Sequence, residues 1–326
     1  MKFKNKLLKF FIFLLIIIPI NAFAYSDYII PGGQTIGIEV NSKGVLVVGF
    51  YKINNTYIAK DSGFEIGDII VKVNNSTITN INSMIEAMKN TDSKVIFEVL
   101  RNNNKKKINL NLEKDESGVL KTGLYVKDKI NGIGTLTYID PESKIFGALG
   151  HEIMESTTAS KFEIKDGKIY EASVSSIIKS RSGKAGEKNA TYDKTNTYGT
   201  INNNSISGIF GKYTSEIENE EKLEVANPDE IQLGTATIKT VINSNNIETF
   251  EINILNINKS SETKNILFEI TDARLLEETG GVIQGMSGSP IIQNNKIIGA
   301  VNYVIVNDTA KGYGIFITSM LKEGEK

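Results

Sequence analysis

From about residue 130 onward the chain is a succession of short β-branched runs punctuated by glycine and asparagine, and no other feature narrows its fold as much. The runs at 133–139, 145–149, 235–242, 249–254, 266–270 and 297–305 are strand-length, and turn residues separate them. Regular short strands of this kind predict an antiparallel barrel or sandwich, giving a mainly β protein. Cysteine is absent, so no disulfide can staple these strands, and thiolate metal sites and thiol nucleophiles are excluded. The sole histidine, His151, excludes multi-histidine zinc centres, and the expectation is a protein without metal or cofactor. The 37 basic and 38 acidic residues nearly cancel, leaving no overall positive field to attract nucleic acid.

The ends of the chain differ in character. Residues 1–24 carry Lys2, Lys4, Lys6 and Lys9 ahead of an apolar run that ends in Ala22-Phe-Ala24, the pattern of an export signal, either cleaved or kept as an anchor. Residues 30–115 form a second compositional unit. Runs at 95–101 and 107–112 flank a polar tip and read as a hairpin, and Ile81, Met84, Ile85 and Met88 have helical spacing with Asn80 or Asn82 placed to cap. Residues 116–130 read as a polar linker, and 131–326 as the β-rich domain. The stretch Gly183-Lys-Ala-Gly-Glu-Lys188 lacks the Gly-Lys-Ser/Thr ending and spacing of a phosphate loop, and that reading is rejected.

Chemistry concentrates at Gly285-Met-Ser-Gly-Ser-Pro290. Glycines on either side of Ser287 permit a tight exposed turn whose backbone N–H groups converge on the oxyanion of acyl transfer; Ser289 is the weaker candidate. A serine hydroxyl needs a base that titrates near neutrality, and His151, at the end of Gly147-Ala-Leu-Gly-His151, is the one imidazole available. A carboxylate to orient the ring could come from Asp272, in Thr271-Asp-Ala-Arg-Leu-Leu, with Asp140 and Asp193 as substitutes. Asp272 could equally serve only as a helix cap.

Three resemblances follow from these residues. The segment Ser62-Gly-Phe-Glu-Ile-Gly-Asp68 and the strand after it resemble a PDZ domain, and Pro31-Gly-Gly-Gln-Thr-Ile-Gly-Ile38 resembles its carboxylate-binding loop and strand. That resemblance implies a peptide groove formed by Gly33, Gln34, Thr35, Ile36, Gly37 and Ile38. The hexapeptide at Ser287 and the strands before His151 resemble chymotrypsin-like peptidases, implying a chymotrypsin-like barrel after the PDZ-like α/β domain, with Gly285 and Ser287 as oxyanion donors. Taken together, Gly-Ala-Leu-Gly-His151, Gly208-Ile-Phe-Gly211, Gly312-Tyr-Gly314 and the run from Thr271 to Ile291 are similar to the stage IV sporulation protein B peptidase family. This implies an exported serine endopeptidase with the triad His151, Asp272 and Ser287. It further implies cleavage of a membrane-embedded regulatory complex in the space between forespore and mother-cell membranes, release of an intramembrane protease and late sigma-factor activation. Self-cleavage, with self-recognition through the PDZ-like domain, is implied as well. The competing expectations are a non-catalytic secreted PDZ scaffold and a quality-control protease, in which the PDZ unit would follow the catalytic domain rather than precede it.

Overall fold

The computed structural model describes residues 25–89, 91, 93–217 and 221–326; the expected export signal at 1–24 lies outside them. The labelled strands are, in chain order, β1 (Thr35–Phe50), β2 (Ile69–Val73), β3 (Lys94–Arg101), β4 (Asn104–Asn111), β5 (Leu124–Ile139), β6 (Ile145–Ala148), β7 (Ile164–Ile178), β8 (Gly186–Ser205), β9 (Gly208–Tyr213), β10 (Gly234–Val241), β11 (Ile247–Ile257), β12 (Ile266–Ile270), β13 (Pro290–Gln293), β14 (Lys296–Val304) and β15 (Lys311–Phe316). The helices that matter here are α1 (Ile81–Met88), α2 (Ala273–Thr279) and α3 (Ile317–Gly324).

Following the pairings produces two closed antiparallel rings. The first runs β1–β5–β6–β9–β8–β7 and returns to β1. The second runs β10–β11–β12–β15–β14–β13 and returns to β10. Closure leaves neither ring a free edge, and each has its own core. Ile36, Ile38, Leu136, Phe146, Ile169 and Ile209 fill the first, while Ile238, Phe250, Ile252, Phe268 and Ile291 fill the second. The sequence thus gives the expected chymotrypsin-like barrel, present as a pair.

A third core, with Val45, Ile70, Val73, Met84, Phe97 and Ile108, belongs to the PDZ domain. Its hairpin turns through Asn102 and Asn103, both at positive φ (50° and 61°), so the lysine run 105–107 lies in β4 rather than in the tip. Asn80 caps α1 by accepting from the Ser83 N–H at 2.8 Å.

The structure corrects the expected domain borders. Residues 35–41 pair with β5 over 129–135 and with β7 over 166–171, so the chain enters the first barrel before it builds the PDZ unit and re-enters it along β5. Residues 116–130 are accordingly no free linker, since 124–130 are already strand. The PDZ unit is an insertion between two neighbouring strands of the first barrel. The expected peptide groove at Gly33–Ile38 is overturned by the same pairing. Both edges of the strand are occupied, Thr35, Ile36 and Ile38 are buried, and Gly32 N–H and Gly33 N–H already donate to the Thr137 and Leu136 carbonyls. The loop N–H groups of Gly32 and Gly33 and the strand edges are thus already used within the first barrel, which leaves no open edge for an added peptide strand.

Among the described residues no helix is long and apolar enough to cross a membrane.

Candidate active site

Ser287 stands on the turn between the two-residue strand Ile283–Gln284 and β13, in the second barrel. Gly285 and Gly288 flank it at φ of 94° and 96°, a region that side chains rarely adopt. Gly288 has a second reason to be glycine: a Cβ there would lie 2.1 Å from the Thr135 carbonyl oxygen and 2.6 Å from the Leu149 nitrogen, both in the first barrel. The turn is bonded on every side. Thr135 N–H donates to the Ser287 carbonyl at 2.9 Å, Thr135 Oγ1 donates to the Gly285 carbonyl at 2.7 Å, and Gly288 N–H donates to the Val301 carbonyl at 2.7 Å. The first barrel therefore grips the nucleophile turn directly. Ser287 N–H donates to no acceptor among the described residues, which leaves it for an oxyanion. Ser289 is fully buried, which removes it as a nucleophile.

His151 reaches the same place from the first barrel, three residues past the bulged end of β6. Gly150 before it lies against Val301 and Asn302 of β14, and the imidazole stacks on Tyr303 with ring centroids 5.7 Å apart. The Asn302 carbonyl accepts from Ser287 Oγ at 3.4 Å. Imidazole and hydroxyl thus meet adjacent residues of one strand, without a hydrogen bond between them. A 3.4 Å O–H···O contact is weak, so the hydroxyl gives it up readily when a substrate closes the site.

The proton on the ring is placed by a backbone group. His151 Nδ1 lies 2.9 Å from the Glu152 carbonyl oxygen. A carbonyl only accepts, so Nδ1 carries the hydrogen and Nε2 presents a lone pair, the form a general base needs. Burial holds the imidazole pKa below its usual value, opposed by that carbonyl bond and by the Glu152 charge, which keeps the ring neutral at pH 7.

Asp272 is placed elsewhere. It caps α2, accepting at Oδ1 from Arg274 N–H at 3.0 Å, and Arg274 Nη2 donates to its Oδ2 at 2.9 Å. Arg274 is the chief cause of its lowered pKa. Nothing joins it to the imidazole in this structure, because its acceptor capacity goes to the helix terminus and the guanidinium, leaving the ring-orienting task to Glu152. The substitutes fare no better. Asp140 accepts from Ser26, Glu142 and Ser143, and exposed Asp193 accepts from Thr195 N–H.

Sequence reasoning missed two contributors, the Glu152 carbonyl and the arm formed by β7 and β8. The tip of that arm crosses to the second barrel, where Ser180 N–H donates to the Thr279 carbonyl at 2.7 Å and Gly183 N–H to the Val306 carbonyl at 2.9 Å. There Gly186 and Glu187 pair in parallel with Ile283 and Gln284, just ahead of the nucleophile turn.

A family model described as SpoIVB peptidase S55 matches residues 118–321, and a PDZ domain model matches residues 35–112. Among solved structures, the active form of the Rv3671c protease from M. tuberculosis aligns at 14% identity over 60% of this chain and 74% of its own, with a TM-score of 0.34. Its inactive form aligns at 13% identity over 59% and 82%, again with a TM-score of 0.34. No curated protein matches.

Proposed function

The chain belongs to the SpoIVB peptidase S55 family and carries a PDZ domain, and on that premise we propose that it is a serine endopeptidase in which Ser287 is the nucleophile and His151 the general base. The observation that carries this reading is the convergence of the sole imidazole and the Ser287 turn on Asn302 and Tyr303. In the proposed reaction His151 Nε2 takes the proton from Ser287 Oγ as it attacks the peptide carbonyl, and the carbonyl oxygen collects negative charge facing the N–H groups of Gly285 and Ser287. The imidazolium then gives its proton to the leaving amine, and water resolves the acyl-enzyme by the same route.

Asp272, which family resemblance nominates as the third catalytic member, acts in this proposal through structure. By capping α2 and engaging Arg274 it fixes the helix that leads into the 280–285 loop. The proposed biological setting is the one the family implies: export, cleavage of a membrane-embedded regulatory complex during sporulation that frees an intramembrane protease for sigma-factor activation, and self-cleavage near the N-terminus.

The test is cleavage by the full chain of a fragment of such a regulatory complex. Wild type should cut it and itself, while Ser287→Ala and His151→Ala should do neither. Undiminished cleavage by Ser287→Ala would refute the assignment.

A further inference from the structure

Lys188, the third residue of β8, is a core-facing lysine. Its neighbours Glu187 and Asn189 point to solvent, whereas Lys188 is 5% exposed. Its Nζ donates to Thr240 Oγ1 at 2.8 Å, and Thr240 is itself fully buried. Its stem lies on Gly285: a Cβ on that glycine would be 3.1 Å from both Cβ and Cδ of Lys188. Two further bonds carry the chain from Cδ to Nζ, so the nitrogen is within roughly 7 Å of the Gly285 backbone.

We propose that Lys188 is a positioning residue for acyl transfer, a buried cation carried from the first barrel to a place beneath Gly285, where it favours negative charge on the carbonyl oxygen held by the Gly285 and Ser287 N–H groups. The inference rests on the serine-peptidase reading of that turn. An apolar residue of the same shape would suit this core better, because a buried ammonium with one hydroxyl partner destabilises the fold. The groups facing Lys188 are Thr240 from β10, Ile177 from β7 and the Ile283–Gln284 segment that runs into Gly285, none of them titratable. Burial is the sole cause acting on its pKa, which it lowers to about 7.

The charge beneath the oxyanion site is therefore present in mildly acid solution and lost as pH rises through neutrality, while His151 must be neutral to act as base. The two requirements overlap below about pH 7, in a window that reaches down past the ordinary imidazole value because burial lowers the His151 pKa.

The test follows the rate of fluorophosphonate labelling of the full chain between pH 5 and 9 for wild type, Lys188→Met, Thr240→Val and Ser287→Ala, together with melting temperatures. The expected wild-type profile is a bell. Lys188→Met should lose the alkaline limb, label at least tenfold more slowly near pH 6, and melt higher than wild type. Thr240→Val removes the acceptor that favours the ammonium and should shift the alkaline limb to lower pH, so it decides the matter even where Lys188→Met fails to fold. An unmoved alkaline limb in either variant overturns the proposal while leaving the peptidase reading intact. An unlabelled wild type, or labelling that survives Ser287→Ala, overturns the peptidase reading and this one with it.

Discussion

Replacing Gly288 with alanine probes the grip of the first barrel on the nucleophile. The new methyl group would sit 2.1 Å from the Thr135 carbonyl oxygen and 2.6 Å from the Leu149 nitrogen, and both are backbone atoms that cannot swing away. A residue other than glycine at φ 96° costs about 1–2 kcal/mol in backbone strain, and forcing overlap in a packed site costs about 1–3 kcal/mol more. The sum of about 2–5 kcal/mol corresponds to a melting temperature lower by roughly 3–8 °C for a chain of this size. Relief of the overlap must push the Ser287 turn away from β5 and β6, and a displacement of about 1 Å costs on the order of a hundredfold in rate. Calorimetry and the labelling rate of Ser287, measured on the same preparation, read both effects. Gly118→Ala is the control, because Gly118 also has positive φ (80°) but a Cβ there meets nothing within 4 Å. It should lose only about 1 kcal/mol and no activity. A Gly288→Ala protein as active and as stable as Gly118→Ala would refute the claim that close contact between the barrels sets the position of Ser287.

Two further outcomes follow from the ion pairs. Asp272→Asn keeps a helix-capping side chain and loses the ion pair to a largely exposed arginine, so stability should fall by about 1 kcal/mol or less and activity by no more than about threefold. A loss near the ten-thousandfold that such a change causes in a working triad, with the fold intact by calorimetry, would place this carboxylate on the imidazole. Buried Glu155, in the loop after His151, is bound by the Lys127 ammonium at 2.6 Å and by the Thr157 and Thr158 N–H groups. Its burial acts to raise its pKa, yet these partners hold it at about 2 against an ordinary 4.5. Because the folded value is the lower, its contribution is complete above about pH 4.5 and fades as pH falls toward 2. Denaturant titrations across that window should show wild type losing about 1–3 kcal/mol more than Glu155→Gln, which keeps only the pH dependence of the other paired carboxylates; equal losses would contradict the assignment.

What could be read from sequence was local. Alternation and turn residues located the β-rich half, helical spacing with Asn80 located α1, and the glycines around Ser287 marked a strained turn whose backbone conformation the structure shows. What could not be read was long-range pairing. The peptide-groove expectation for 33–38 failed because a glycine-rich entry into a strand looks the same whether its edges are open or, as here, paired with β5 and β7. The insertion of the PDZ unit into the first barrel was hidden because β1 and β5 each run unbroken through both structures. Asp68 shows the same limit: the Gly-Asp pair was visible, but its partner is Arg101, 33 residues on, which donates from Nε at 2.7 Å. Lys188 lay in a segment rejected as a phosphate loop, and only the fold turns its side chain inward beneath Gly285. For Asp272, first-turn position before a helix already suggested a cap, and Arg274 two residues later confirms that role in the structure.

The central claim is that His151 activates Ser287. It is tested most directly by exposing the full chain to a fluorophosphonate at pH 6.5 and locating the adduct by mass spectrometry of the digested protein. The account predicts one adduct per chain, on Ser287, absent from Ser287→Ala and slowed at least a hundredfold in His151→Ala. An adduct on another residue, or labelling of the His151→Ala protein at the wild-type rate, would contradict it.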